Sequence, residues 1–71
     1  MTKKPIEKGT RVMALTAFGR QESYVATTPV VMGADFQVVW VALPDEWDRA
    51  QAQQREPEAL PWPAEDVVVA A

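Results

Sequence analysis

Carboxylates are the only side chains in this 71-residue sequence with a conventional claim to catalysis, because it holds no His, no Cys and no Gly-rich phosphate loop. Two groups are dense enough to consider: Asp45, Glu46 and Asp48 in one stretch, and Glu65-Asp66 in another. Such clusters can hold a hard cation or divide the roles of acid and base. Both fall where a helix or a tight turn is expected to begin, however, and the N-terminal end of a helix favours acids without any ligand. The sequence therefore points to no enzyme, no metal site and no cofactor.

Recognition is better served by the aromatics. Trp47, on a thinly apolar helix, and Trp62, between Pro61 and Pro63, each read as a core lid or as a contact residue. With Phe18, Tyr24 and the guanidinium of Arg20 they form the candidate partner-binding set. Phe18 sits in a loop beside Gly19, a place where small domains commonly tuck an aromatic against the end of the core. Trp40, inside an apolar run, reads as core.

The basic side chains make a second set. Lys3, Lys4, Lys8, Arg11 and Arg20 are five bases against the single acid Glu7, so residues 1–20 carry +4. Residues 21–71 hold Arg49 and Arg55 against nine acids and carry −7. The basic arm suits a nucleic-acid or ribosome-associated binder, but the acidic body repels phosphates, which makes nucleic acid the alternative rather than the first reading.

The elements that must position these residues are mostly strands. Phe36-Gln37-Val38-Val39-Trp40-Val41-Ala42-Leu43 has one polar side chain in eight and reads as the central strand. Period-two alternation puts Phe36, Val38, Trp40 and Ala42 on one face, expected to be the interior, and Val39, Val41 and Leu43 on the other, expected to seat a helix or a partner chain. Thr10–Thr16 and Ser23–Thr28 read as two earlier strands, and Pro29 breaks the second before Val30-Val31-Met32. Pro44 suits a first helical position and Asp45, Glu46 and Asp48 a helix start, predicting a helix over about 44–55 with Asp45–Arg49 and Gln51–Arg55 pairs. Pro63–Asp66 suits a 3₁₀ turn into a last strand, Val67–Val69.

Three segments carry a family resemblance. The opening Gly9-Thr10-Arg11-Val12, the middle Val38-Val39-Trp40 and the closing Trp62-Pro63-Ala64-Glu65-Asp66-Val67 resemble the SH3-like small β-barrels. The resemblance covers most of residues 9–69 and implies an antiparallel barrel of about five strands with a binding role. The departure is Pro44–Glu58, where an inserted helix replaces a tight turn.

A chain this short buries only roughly 60% of its unfolded surface, and without Cys it has no disulfide to supplement its core. The strands also offer more two-sided apolar surface than a helix anchored by Trp47 can cover, so a protein partner or a homo-oligomer is expected. Residues 1–8 read as a flexible basic lead-in and residues 9–71 as one SH3-like domain. The charged start lacks the apolar run of a secretory signal and no stretch spans a membrane, so a cytoplasmic setting is the expectation. One Ile, no Asn and abundant Ala and Val resemble the composition of actinobacterial or actinophage proteins. Together these readings predict a protein-interaction module, of a regulatory or host-directed accessory kind. A structural subunit of a larger assembly is the remaining alternative.

Overall fold

The computed structural model describes residues 5–70. They form six strands, β1 (Arg11–Leu15), β2 (Gln21–Ala26), β3 (Val31–Met32), β4 (Gln37–Ala42), β5 (Leu60–Pro63) and β6 (Val67–Val69), with helix α1 (Pro44–Ala52) and a 3₁₀ turn (Ala64–Asp66). All pairings are antiparallel, and the single sheet curls strongly into a half-barrel. The mainly β architecture with an inserted helix thus matches expectation.

Strand β4 is the hub. Val38 pairs with Val31 on one edge and Pro63 on the other, and Val41 pairs with Ala26 and Leu60 in the same way. Strands β2 and β3 are therefore two pieces of one bent strand, separated around Pro29, that share an edge of β4. Strand β1 pairs with β2 on one side and with β6 on the other. The β1–β2 connection is tight: Thr16 donates to Arg20 O at 2.7 Å, Gly19 donates to Thr16 O at 3.0 Å, and Gly19 adopts φ 76°, the bulged three-residue hairpin that needs glycine.

The register decides which face of β4 is buried, and it reverses the expected one. Val39 and Val41 are the interior residues, 0% and 2% exposed, clustered with Val12, Ala14, Ala26 and Val67. Trp40 is 39% exposed and Phe36 55%, so neither is core. The centre of the concave side is lined by Val and Ala with the rings of Tyr24 and Trp62 packed over it, and Phe36 and Trp40 are left to the convex side. The register is held by Thr27, whose N–H and hydroxyl both donate to Trp40 O at 2.7 and 3.0 Å.

Part of the convex side is covered by α1. Val25 and Ala42 are cross-strand partners on that side, 1% and 2% exposed, and Ala50 of the helix is 1% exposed. Leu43, expected in the helix seat, is instead 59% exposed at the helix N-cap. The helix stops at Ala52 rather than near Arg55, because Gln54 turns left-handed at φ 54°. Arg55 N–H then reaches Ala50 O at 3.0 Å and Gln54 N–H reaches Gln51 O at 3.3 Å, the paired bonds of a Schellman cap.

Candidate protein-interaction surface

The sequence-derived partner set is divided by the fold into three places. Tyr24 and Trp62 meet on the concave side, their ring centroids 5.6 Å apart and tilted by 37°, both packed against the core cluster. Trp62 Nε1–H donates to Leu15 O at 3.1 Å, tying β5 to the end of β1, with which it does not pair. Tyr24 donates its hydroxyl to Glu22 Oε2 at 3.0 Å, and burial first, then that hydrogen bond, pushes the phenol pKa up. These two aromatics are half-buried on the concave side of the half-barrel.

Trp47 lies elsewhere. On α1, it is half-buried beside Gly9, where an added Cβ would stand 3.6 Å from Trp47 Cζ2 and where φ is 92°. Gly9 in turn donates to Ala26 O at 2.8 Å, so the approach of backbone to indole is part of how the start of the fold is seated. Just before it, in the predicted lead-in, Ile6 packs on the core cluster, and Glu7 N–H meets Thr10 Oγ1 at 3.0 Å.

Phe18 and Arg20 share the β1–β2 turn. Phe18 is 91% exposed, so the expectation that it tucks against the core does not hold: the three-residue loop is too short to fold its tip back over the barrel. Of the basic set, Lys3 and Lys4 lie outside the described residues. Arg11 starts β1 and Arg20 follows the turn at its other end, about five residues and ~15 Å along the strand direction.

The acidic stretch at the helix start has a structural job. Arg55 grips Glu46 with both terminal nitrogens, Nη1 to Oε2 at 2.6 Å and Nη2 to Oε1 at 3.1 Å, and Glu58 N–H adds a bond to Oε2 at 2.9 Å. This fastens the segment after the helix back onto its first turn. The Arg55 hydrogen bonds, then the Glu58 amide, hold the Glu46 carboxyl at about 2, well below its usual 4.5. The expected Asp45–Arg49 and Gln51–Arg55 pairs are replaced by Glu46–Arg55 and a looser Glu46–Arg49 contact at 3.8 Å. Beside the clamp runs an open cleft of about 380 Å³, lined in part by Tyr24, Val41, Leu43, Arg49 and Leu60. Glu46 also lines it, but its carboxylate is already committed to Arg55 and Glu58.

The surface that sequence reasoning missed is the convex face of β3, β4 and β5. Val31, Val38 and Pro63 stand in one cross-strand row, Trp40 and Pro61 in the next, and Phe36 flanks Pro63 across a recess of about 160 Å³. The signal was present in the alternation of β4, but hydrophobic weight alone assigned the heavier face to the interior. Compared with protein-family models, curated proteins and solved structures, the chain has no significant match in any of the three.

Proposed function

We propose that this chain is a non-catalytic protein-interaction module of the SH3-like barrel kind, acting in the cytoplasm as an accessory or regulatory protein. One observation carries the reading. Among the described residues every buried one is Val or Ala, whereas Phe18, Met32, Phe36, Leu43 and Leu60 are more than half exposed and Trp40 is 39% exposed. Side chains of that size contribute most when they are removed from water, and burying each stabilises by roughly 1.5–3 kcal/mol. Where such side chains gather with others, as Trp40 does with Val31, Val38 and Pro61 on the convex face, the surface is made to be covered. The 3₁₀ turn leading into β6, and β6 returning to β1, support the SH3-like resemblance, with α1 inserted between β4 and β5.

The separation of Arg11 from Arg20 weakens the nucleic-acid alternative, because one phosphate track would have to follow the whole hairpin. The test uses the full chain as bait in host extract, followed by titration of each captured protein in purified form. Saturable binding that Phe18→Ser or Trp40→Ser reduces at least tenfold, with an unchanged far-UV circular dichroism spectrum, supports the reading. Binding to nucleic acid that falls steeply between 50 and 200 mM salt, with no saturable protein partner, overturns it.

A further inference from the structure

We propose that the open cleft between the first turn of α1 and the segment entering β5 binds a free α-amino acid with a branched aliphatic or aromatic side chain. The ligand's carboxylate lies on Arg49, its ammonium on Glu58 and its side chain over Tyr24, Val41 and Leu60. The site is separate from the convex face and from the Phe18 turn, and it adds a small ligand to the interaction-module reading.

The strand register makes the cleft. Val41 and Leu60 are the last cross-strand pair of β4 and β5. Beyond that pair the two chains part: β4 runs through Leu43 into α1 at Pro44, while the incoming chain at Glu58 and Ala59 stays outside the ladder. The Glu46 carboxylate holds the two walls together at a set spacing, because it accepts from Arg55 on both oxygens and from Glu58 N–H. The wedge is formed before any ligand arrives, and a preformed site spares the ligand the cost of ordering it.

The lining selects an apolar side chain. Tyr24 and Val41 make the floor, and Leu43 and Leu60, 59% and 63% exposed, stand on the two walls. About 380 Å³ lies between them, room for about a dozen water-sized groups. That is the size of a single amino acid such as leucine or phenylalanine, at the low end of small-ligand sites.

The rims select the charges. Arg49, on the helix wall, makes no hydrogen bond among the described residues, and its ion contact is the 3.8 Å approach to a Glu46 already committed to Arg55. Glu58, on the opposite wall, has no cation within ion-pair distance among the described residues, and it acts on Arg55 only through its field. One rim thus offers a guanidinium and the other a carboxylate. An apolar anion would meet the like charge of Glu58, and an apolar cation that of Arg49. An α-amino acid carries both complements beside an apolar side chain. Exposed ion pairs contribute little each, so burial of the side chain supplies most of the affinity and the two charges supply the selection.

Titration of the isotope-labelled full chain with L-leucine and L-phenylalanine up to ~20 mM, followed by amide chemical shifts, tests this. The expected result is saturation at Val41, Leu43, Ala59 and Leu60 with a dissociation constant of about 1 mM, and none with glycine, which lacks the side chain. N-acetyl-leucine, which keeps only the carboxylate, binds about threefold more weakly than leucine, and Glu58→Gln removes that difference. Leucine amide, which keeps only the ammonium, is weakened likewise, and Arg49→Gln removes that difference. Both replaced side chains are exposed, so an unchanged circular dichroism spectrum is expected of each variant. Absence of saturation by either amino acid overturns the site, as does equal binding of leucine, its acetyl form and its amide. Tighter binding of a peptide that carries leucine between an acidic and a basic residue also overturns it, and makes the occupant a protein segment. The interaction-module reading is decided separately, by capture in extract.

Discussion

Trp62→Phe is the substitution that best separates a lid from a contact residue. The replacement keeps an aromatic ring against Tyr24, now 5.6 Å from the indole, and removes the Nε1–H that donates to Leu15 O at 3.1 Å. A neutral hydrogen bond of this kind contributes about 1 kcal/mol net, and the smaller ring gives up a further few tenths in packing on the core cluster. The expected loss is therefore ~1–1.5 kcal/mol. In a domain of this size that lowers the thermal midpoint by roughly 5–10 °C. Trp62→Ala removes the ring as well, and because the residue is half-buried the expected loss is ~2–3 kcal/mol rather than the larger cost of a fully buried indole. Tyr24→Phe serves as the control: its hydroxyl bonds only to Glu22, itself exposed, so the change stays within ~0.5 kcal/mol. Equilibrium urea unfolding of the four proteins, followed by tryptophan fluorescence and circular dichroism, reads all these values. If Trp62→Phe unfolds with the wild-type midpoint and Trp62→Ala loses less than ~1 kcal/mol, the indole is not holding β5 to β1, and its part of the concave side is a free binding surface.

Other substitutions test the remaining structural assignments. Val39→Ala, at a position with no exposure, should cost ~2 kcal/mol by urea unfolding, while Val38→Ala on the convex side should cost under ~1 kcal/mol; the reverse order would restore the face that the sequence favoured. Gln54→Gly relieves the left-handed residue of the Schellman cap and should raise stability by ~0.5–1 kcal/mol, seen as a higher thermal midpoint. Glu46 is held at about 2 in the fold against 4.5 outside it, so its contribution is complete above 4.5 and disappears as pH falls toward 2. Glu46→Gln should accordingly flatten that acid limb in a series of urea midpoints from pH 7 to pH 2.5, and a limb as steep as in the wild type would show that the Arg55 clamp is not its source.

How much could be read in advance depended on whether a residue's neighbours in sequence or its neighbours in space fixed its fate. Pro44 with Asp45 and Glu46 marked the helix start by local chemistry, and α1 begins there. Pro63 to Asp66 likewise marked the 3₁₀ turn. The helix end escaped because Gln54 is not a residue whose type announces a left-handed conformation; the cap is made by backbone bonds to Ala50 and Gln51. Arg55 could not be paired correctly from spacing, since its partner Glu46 lies nine residues away and is reached only after the chain has turned back. Trp40 was misread for a deeper reason. Period-two alternation yields two faces but not which one is concave, and that depends on the volume left inside a sheet whose curl is set by all six strands at once.

The same curl bears on how the molecule can recognise anything. The centre of its concave side is already filled by Val12, Ala14, Ala26, Val39, Val41 and Val67, with Tyr24 and Trp62 packed over them, which leaves on that side the open cleft lined by Tyr24, Val41 and Leu60. The free edges offer little: β3 and β6 span two and three residues, and β5 carries Pro61 and Pro63. The helix takes the part of the convex side formed by Val25 and Ala42. What remains is the cleft beside the Glu46–Arg55 clamp, the rest of the convex face around Phe36 and Trp40, and the Phe18 turn, three surfaces borne by separate parts of the same sheet.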